Sequence, residues 1–380
     1  MTGRERIEAA LSAGGSRETP AVICYESIYF RDHWEALTSQ PWWSVHSHDI
    51  DLQLAWLRQA FARTPQDWFH LPALPPKSQR AATVIEQRGG EVFRVDRRTG
   101  SEQRLRRPRI GGWDPQGMSR HVEPPRLPET IDEVDRAVPP PEPFDARRFR
   151  AEGRGDLAAA MLDEFGQQRF PMGYTNGPLW SCYFVWGFEG LMTLVADHPL
   201  LVARACERFL PRLVRPIREA AALEAAGVWI EDCLTDMISP AAFETLNAPL
   251  LRRLIEEIRS LGMKSVYYYC GDPAGKWDQL FSLGADALSL EEGKKGFRID
   301  IEEVAERAAG RCALLGNLDA VGVLADGTDE QLRREIARQI AAGRANGGRF
   351  IMSLGSPVTP GTTVERVRRY LDLAREIGRA

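Results

Sequence analysis

The chain has 380 residues, 43% of them hydrophobic and 27% charged, with a formal net charge of −4. This length can bury a large core in one big domain or two ordinary ones, and the negative balance argues against a dedicated nucleic-acid binder. The N-terminal residues lack an apolar signal region, and no apolar run approaches the ~18 residues that span a bilayer. Six cysteines without disulfide-type spacing are typical of reduced thiols. We therefore expect a cytoplasmic protein with no membrane contact.

The N-terminal part of the chain reads as two helices and two short strands. Residues 4–13 predict a polar amphipathic helix, and 50–63 show helical apolar spacing. Residues 19–25 are β-branched and apolar and predict a first strand, and the short apolar segment at 67–71 reads as a further strand.

Two segments then depart from this pattern. Residues 82–110 alternate polar and apolar positions between glycine-containing turns, which predicts an antiparallel β-meander. Residues 123–150 are rich in proline and predict an excursion over the surface. We interpret both as elaborations of a single domain that spans residues 1–380.

From about residue 155, strand-like and helix-like stretches alternate regularly. Apolar strand-like runs occur at 169–174, 227–231, 264–270, 286–290, 312–316 and 349–353. Amphipathic helical stretches occur at 188–225, 240–261, 274–283, 300–309, 329–345 and 363–378. Together with the two N-terminal strands this predicts an α/β fold, a (β/α)8 TIM barrel with an N-terminal elaboration. A doubly wound open sheet is the alternative, although no glycine-rich dinucleotide-binding motif follows the first strand.

Acidic and thiol side chains follow two consecutive predicted strands. Glu231, Asp232 and Cys233 end one strand, and Cys270 and Asp272 follow the next. If the strands are neighbours, their ends lie roughly 5 Å apart, so these side chains converge. Thiolates with a carboxylate are ligands that suit Zn²⁺. The alternative is that both cysteines only pack in the core, as buried cysteines often do.

The remaining strand ends carry further candidates. Glu291 and Glu292 precede Lys294 and Lys295, a group that handles a proton, holds a substrate carboxylate or forms a charge-balanced solvated loop. The loops after the last two strands contain Asn317 and Ser356 and can present backbone N–H groups to an anion. Tyr174 begins an aromatic stretch that lines a pocket mouth or packs in the core.

Several segments resemble the uroporphyrinogen decarboxylase superfamily. They are RERIEAAL at 4–11, WIEDC at 229–233, MISP at 237–240, GNLD at 316–319 and FIMSLGSPVTPGT at 350–362. The resemblance covers the whole chain, most clearly residues 168–378. It implies a (β/α)8 barrel and, often, a homodimer.

Two chemistries compete within that superfamily. The decarboxylases act on a porphyrinogen with eight carboxylates and are expected to carry a cationic run just after the first strand. Here residues 24–29 read CYESIY, with Glu26 in place of cations, and Ser356 replaces a late histidine. The other branch comprises zinc methyltransferases that work with corrinoid proteins. Their usual His-x-Cys pair reads Tyr268 and Cys270 here, and their last cysteine ligand is Ser356.

The resemblance therefore favours a zinc-dependent methyltransferase with an altered ligand set. It would hold Zn²⁺ and transfer a methyl group between a small methylated substrate and a corrinoid protein or thiol acceptor. The corrinoid would be carried by a separate partner protein, because the chain shows no corrinoid-binding motif of its own. The alternatives are a metal-free decarboxylase or lyase that uses Asp232, Lys294 or Lys295, and a non-catalytic binding protein. The implied site residues are metal ligands Glu231, Cys233 and Cys270, catalytic groups Asp272, Glu291 and Asp232, and substrate-binding residues Tyr174, Tyr268, Asn317 and Ser356.

Overall fold

The computed structural model describes residues 1–111, 125–293 and 296–379, which form a parallel sheet surrounded by helices and a small antiparallel sheet. The strands are β1 (Trp68–His70), β2 (Thr83–Arg88), β3 (Glu91–Asp96), β4 (Ser101–Leu105), β5 (Phe170–Asn176), β6 (Gly227–Asp232), β7 (Lys264–Tyr269), β8 (Ala287–Leu290), β9 (Ala313–Leu315) and β10 (Phe350–Ile351). Within the described ranges the parallel sheet has seven strands in the order β1-β5-β6-β7-β8-β9-β10.

Helices connect the consecutive parallel strands, as the alternating sequence pattern predicts. The first eight are α1 (Gly3–Ala10), α2 (Glu26–Asp32), α3 (Trp34–Leu37), α4 (Ile50–Arg63), α5 (Lys77–Ala82), α6 (Ile131–Ala137), α7 (Ala146–Ala151) and α8 (Asp156–Phe165). The others are α9 (Pro178–Asp197), α10 (Pro199–Ala222), α11 (Pro240–Ala242), α12 (Ala248–Ser260), α13 (Trp277–Ser282), α14 (Ile301–Ala308), α15 (Asp329–Ala345) and α16 (Val364–Gly378). Short 3₁₀ turns cover Trp42–His46 and Thr235–Met237, and π-helical turns cover Phe243–Asn247 and Ala320–Ala325.

The sheet closes into a barrel through the segment that follows α1. Ala21 forms a parallel bridge with Met352, where the Val22 N–H donates to the Met352 carbonyl at 2.9 Å. On its other side, the Ala21 carbonyl accepts from the Asp67 N–H at 3.0 Å. This segment is the eighth member of the ring, so the barrel prediction is confirmed. The strand predicted at 19–25 is reduced to this single bridge.

A buried carboxylate fixes the closing segment to both ends of the chain. The Asp67 side chain accepts hydrogen bonds from the Ala21 N–H at 2.8 Å, from Arg6 Nη2 at 2.7 Å and from Arg375 Nη2 at 3.0 Å. Arg6 belongs to α1 and Arg375 to α16. Because a buried carboxylate is stable only when its oxygens are bonded, these partners act together to hold α1, α16 and the closing segment beside β1.

Alternation along the strands decides which side chains face the barrel interior. In β6, Trp229 stacks on Tyr268 of β7 at 5.1 Å between ring centroids and meets Trp68 of β1 edge-on at 5.7 Å. Because β5 lies between β1 and β6 in the sheet, the contact between Trp68 and Trp229 passes over β5 and places Trp229 inside the barrel. Since side chains two positions apart share a face, Glu231 also faces inward, and Asp232 faces the helices.

The β-meander predicted at 82–110 is present as β2, β3 and β4, paired antiparallel. Its first turn uses Gly89 and Gly90, whose φ values of 58° and 81° are in the region that glycine tolerates best. In the proline-rich segment 123–150, residues 123–124 lie outside the described residues. The rest contains α6 and the start of α7, and Arg204 of α10 binds Asp135 of α6 at 2.7 Å.

Helix α9 differs from the expectation that no segment is long and apolar enough to span a bilayer. Among the residues that the structure describes, Pro178–Asp197 meets that criterion by length and composition. This is weak evidence for a membrane segment, because core helices of folded proteins meet the same criterion. In the structure Leu179, Cys182, Leu191 and Leu194 of α9 are fully buried.

Candidate active site

A cavity of about 870 Å³ opens at the carboxyl ends of β1, β5 and β6. His70, Tyr174 and Glu231 come from the ends of these three strands, and α2 and α4 cover the other side. The volume is typical of a site for a small molecule. Aromatic residues make up much of the wall: Tyr25, Phe30, Trp56, Phe61, Trp68, Tyr174, Trp180, Phe184 and Trp229. The carboxyl ends of barrel strands are also where TIM-barrel active sites form.

Glu231 is a buried carboxyl group in the wall of this cavity. Its Oε1 accepts a hydrogen bond from the Tyr25 hydroxyl at 3.3 Å, and its Oε2 accepts one from the Tyr174 hydroxyl. Burial raises the pKa of Glu231, and the hydroxyl bonds offset part of that rise. In the described part of the chain no arginine or lysine pairs with Glu231, so the donors to its carboxyl group are the two tyrosine hydroxyls and the Cys233 thiol.

Tyr25 connects the cavity with the barrel interior. It lines the cavity, and its ring packs edge-on against Tyr268 with centroids 5.8 Å apart. Its backbone is left-handed, with φ 53° and ψ 47°, immediately before α2. Non-glycine residues adopt this conformation at a cost, so the surrounding contacts hold Tyr25 in place. One side chain therefore contacts both the cavity and the residues behind it.

The two predicted thiol ligands lie behind Tyr25 and do not line the cavity. Cys233 Sγ is 3.8 Å from Glu231 Oε1. A hydrogen bond with the Cys270 thiol, together with burial, raises the pKa of the Cys233 thiol. Glu231, Cys233 and Cys270 are thus connected as two consecutive contacts.

The types of side chain in this arrangement suit zinc, but their positions do not form a metal site. A carboxylate and two thiols are zinc ligands, and the spacing of Glu231 and Cys233 is close to that of two ligands of one ion. Over residues 1–111, 125–293 and 296–379, however, no three His, Cys, Asp or Glu side chains form a group that could hold a metal ion. For Glu231, Cys233 and Cys270 to hold one metal ion, a carboxyl oxygen of Glu231 would have to lose its hydrogen bond from a tyrosine hydroxyl and bind the metal instead.

Two predicted proton-handling residues are bonded to backbone N–H groups outside the cavity. Asp272 Oδ1 accepts from the Ala274 N–H at 2.9 Å, which closes a turn after β7. Glu291 Oε2 accepts from the Gly271 N–H at 3.0 Å and is buried after β8. Both carboxylates therefore hold loops in their present conformation.

Two predicted substrate-binding residues are similarly engaged. Asn317 Nδ2 donates to the backbone carbonyls of Glu291 at 3.2 Å and Ile299 at 3.0 Å. Ser356 Oγ donates to Glu292 Oε1 at 2.6 Å. Neither residue lines the cavity. We call Asp272, Glu291, Asn317 and Ser356 the closed rim, and Tyr25, His70, Tyr174 and Glu231 the open rim.

The other predicted site residues are also placed by the structure. Tyr174 lines the cavity and is 44% exposed, whereas Tyr268 is buried against Trp229. Asp232 faces the helices, where it accepts from Asn247 Nδ2 at 2.6 Å and the Tyr267 hydroxyl at 2.8 Å. Burial raises the pKa of Asp232 to about 7. Lys294 and Lys295 lie outside the described residues.

The sequence analysis did not name His70, and it mentioned Glu26 only as standing in place of cations and not as a site residue. His70 ends β1, and its Nδ1 is 3.0 Å from Glu26 Oε1 at the start of α2. Both line the cavity. The available signal was a histidine two positions after a buried tryptophan at the end of a short strand, which placed its side chain on the inward face.

Comparisons with known proteins identify the family. A family model described as uroporphyrinogen decarboxylase (URO-D) matches residues 117–377. The uroporphyrinogen decarboxylase of Anaeromyxobacter sp. (strain Fw109-5) is 27% identical over 242 residues, 62% of this chain and 66% of that protein. The enzyme of that name from Thermodesulfovibrio yellowstonii is 28% identical over 190 residues, 50% of this chain and 48% of that protein. The chain thus spans less than two thirds of either relative's length.

A solved structure is similar over nearly the full length. It is a methyltransferase from Methanosarcina mazei, with a TM-score of 0.63 and 16% sequence identity, covering 99% of this chain and 98% of that one. At this identity the likeness concerns the fold. The match to residues 117–377 covers more than half of the sequence, and on that basis this chain belongs to the uroporphyrinogen decarboxylase (URO-D) family.

Proposed function

We propose that this URO-D family member is a methyltransferase that binds a small, mainly apolar methylated compound in the cavity. The observation that carries the proposal is the chemistry of the cavity wall. Much of the wall is aromatic. Among the described lining residues Arg94 is the single arginine or lysine, and the wall also contains the carboxyl groups of Glu26 and Glu231. Such a wall favours binding of an uncharged aromatic or aliphatic body.

The same wall disfavours the decarboxylase alternative. A substrate with eight carboxylates needs several cations to offset its charge, since desolvating unpaired carboxylates is costly. Here Glu26 and Glu231 would instead repel it. We therefore rank decarboxylation of such a polyanion second, although the curated relatives carry that name.

In this proposal, the residues on the two sides of Tyr25 have different roles. The aromatic residues hold the body of the substrate and exclude water, while the Tyr25 and Tyr174 hydroxyls orient Glu231 toward the thiols. We propose Glu231, Cys233 and Cys270 as the residues that would hold Zn²⁺, on the strength of their donor chemistry and of the lack of a paired arginine or lysine in the described residues. When bound, zinc would act as a Lewis acid toward the leaving oxygen or sulfur or toward a thiol acceptor. A corrinoid on a separate protein is the other proposed methyl acceptor.

Metal content gives the first test. The full-length chain is purified, reconstituted with Zn²⁺, desalted and analysed by plasma mass spectrometry, alongside a Cys233→Ser/Cys270→Ser double variant. We expect about one zinc per chain in the wild type and a loss of zinc in the double variant, because both thiolate ligands are gone. Cys312→Ser is the matched control, since Cys312 is buried just before β9, outside the site. Zinc retained by the double variant would contradict this ligand set.

Turnover gives the second test. Methoxybenzenes and methyl thioethers are incubated with the full chain and reduced cobalamin, and methylation of cobalt is followed by absorbance. We expect transfer, with an about 100-fold lower kcat/KM in Glu231→Gln, a loss typical of removing a charged group from an electrostatically organised site. Release of CO2 from uroporphyrinogen, unaffected by chelators and without methyl transfer, would instead support the decarboxylase alternative.

A further inference from the structure

His70 and Glu26 form a hydrogen-bonded pair in the cavity wall, on the opposite side of β5 from Glu231. Glu26 Oε1 lies 3.0 Å from His70 Nδ1 and also accepts the His70 backbone N–H at 3.0 Å. Glu26 Oε2 accepts from Gln66 Nε2 at 2.5 Å. The carboxylate is buried and held by donors from β1 and from the loop that precedes it, so its position is fixed.

This pairing determines the tautomer of His70. A carboxylate only accepts hydrogen bonds, so the Nδ1 that faces Glu26 carries the proton. In the neutral imidazole the lone pair is then on Nε2. The His70 side chain is 30% exposed and lines the cavity, and within the described residues Nε2 has no hydrogen-bond partner. The cavity therefore presents a fixed acceptor in a wall that is otherwise mostly apolar.

We infer that His70, oriented by Glu26, determines substrate specificity by accepting a hydrogen bond from a hydroxyl group on an aromatic ligand. This deepens the proposed function, on which it rests, by naming the ligand class: a small methylated aromatic compound that also carries a free hydroxyl. A bound ligand covers this acceptor, so the site discriminates against an analogue without the donor, because the acceptor is then desolvated without a partner. His46 lines the same cavity, and no carboxylate bonds to it in the described part of the chain.

The test compares two ligands of nearly the same shape, 4-methoxyphenol and 4-methylanisole, in which a methyl group replaces the hydroxyl, by titration calorimetry with the full chain. We expect the phenol to bind about fivefold more tightly to the wild type, as one additional hydrogen bond predicts. Glu26→Gln is expected to bring the ratio of affinities close to one, because an amide both donates and accepts and no longer fixes the tautomer. His70→Phe should do the same, and His46→Gln should change both affinities alike.

A second measurement tests the tautomer without any ligand. Nitrogen NMR of histidine-labelled protein should show His70 protonated at Nδ1 in the wild type, and a mixture of tautomers in Glu26→Gln. Equal affinity of the wild type for both compounds, failure of both to bind, or a proton on Nε2 would overturn the inference. Neither measurement requires turnover, so an absence of methyl transfer combined with a retained phenol preference would refute the proposed function and leave this inference standing.

Discussion

Glu231 in the open rim and Glu291 in the closed rim are both buried carboxyl groups near the ends of barrel strands, with 6% and 7% of their surface exposed. They differ in their partners. Glu231 is bonded to tyrosine hydroxyls that can rotate, and it lines the cavity. Glu291 is bonded to the backbone N–H of Gly271 and stays outside it. Residue type and burial are thus insufficient to identify a site residue, whereas the nature of the partner distinguishes a replaceable contact from a structural one.

The largest expected effect concerns Asp232, which follows Glu231 directly but faces the helices. Its pKa is about 7 when folded against an ordinary value of 3.8, so the folded state holds its proton more tightly. Below about pH 4 both states are protonated and the folded state keeps its full advantage. As the pH rises toward 7 only the unfolded state ionises, and the free energy of unfolding falls by up to about 4 kcal/mol.

Urea denaturation of chelator-treated protein between pH 4 and 8 measures this dependence. Asp232→Asn should make it less steep, because the amide does not titrate, whereas the buried Glu231 still does. Asp163→Asn is the matched control, since Asp163 is exposed on α8. A pH dependence of unfolding that is the same in Asp232→Asn and wild type would show that the two faces of β6 do not differ as described.

The next effect tests the structural character of the closed rim. Asn317→Ala removes the two hydrogen bonds that Asn317 Nδ2 donates to the carbonyls of Glu291 and Ile299, and we expect the free energy of unfolding to fall by about 2 kcal/mol. Affinity for 4-methoxyphenol should stay unchanged. Asn176→Ala, in the cavity wall, is the counterpart and should alter affinity more than stability. The reverse pattern would break the distinction between the rims.

The smallest effect tests whether a hydrogen bond of the open rim can be lost without a large loss of stability. Tyr174→Phe removes a hydroxyl that donates to Glu231, in a residue that is 44% exposed. We expect a change in 4-methoxyphenol affinity of less than about tenfold and a change in stability within about 0.5 kcal/mol. Tyr183→Phe is the control, because Tyr183 stacks on Trp180 at 4.9 Å and does not line the cavity. A loss of several kcal/mol in Tyr174→Phe would place it with the closed rim.

The barrel was predictable because its periodic signals are strong and local. The helices predicted at 50–63 and 329–345 coincide with α4 and α15, and the strand predicted at 227–231 ends one residue before β6 does. The predicted helical stretch at 188–225 is divided at His198, since Pro199 begins a new helix where its fixed φ and missing N–H are tolerated.

The candidate site was less predictable because it depends on contacts between distant parts of the chain. Sequence reasoning placed all chemistry after residue 168, where strand ends recur in order. His70 and Glu26 reach the cavity only because β1 pairs with β5, which follows it by about a hundred residues. Tyr174 and Glu231 were named as site residues. Nothing local in the sequence, however, indicates that the side chains of Asn317 and Ser356 are hydrogen-bonded to other residues of the chain.

The Asp67 cluster has a consequence for how the cavity forms during folding. The contact between Asp67 and Arg375 joins positions 308 residues apart, and Asp67 directly precedes β1, which carries His70. Contacts of such sequence separation require the ends of a long loop to meet, which slows folding. We expect β1 to be fully anchored only once α16 has docked, and the binding cavity to be completed only when residues from both ends of the barrel have assembled.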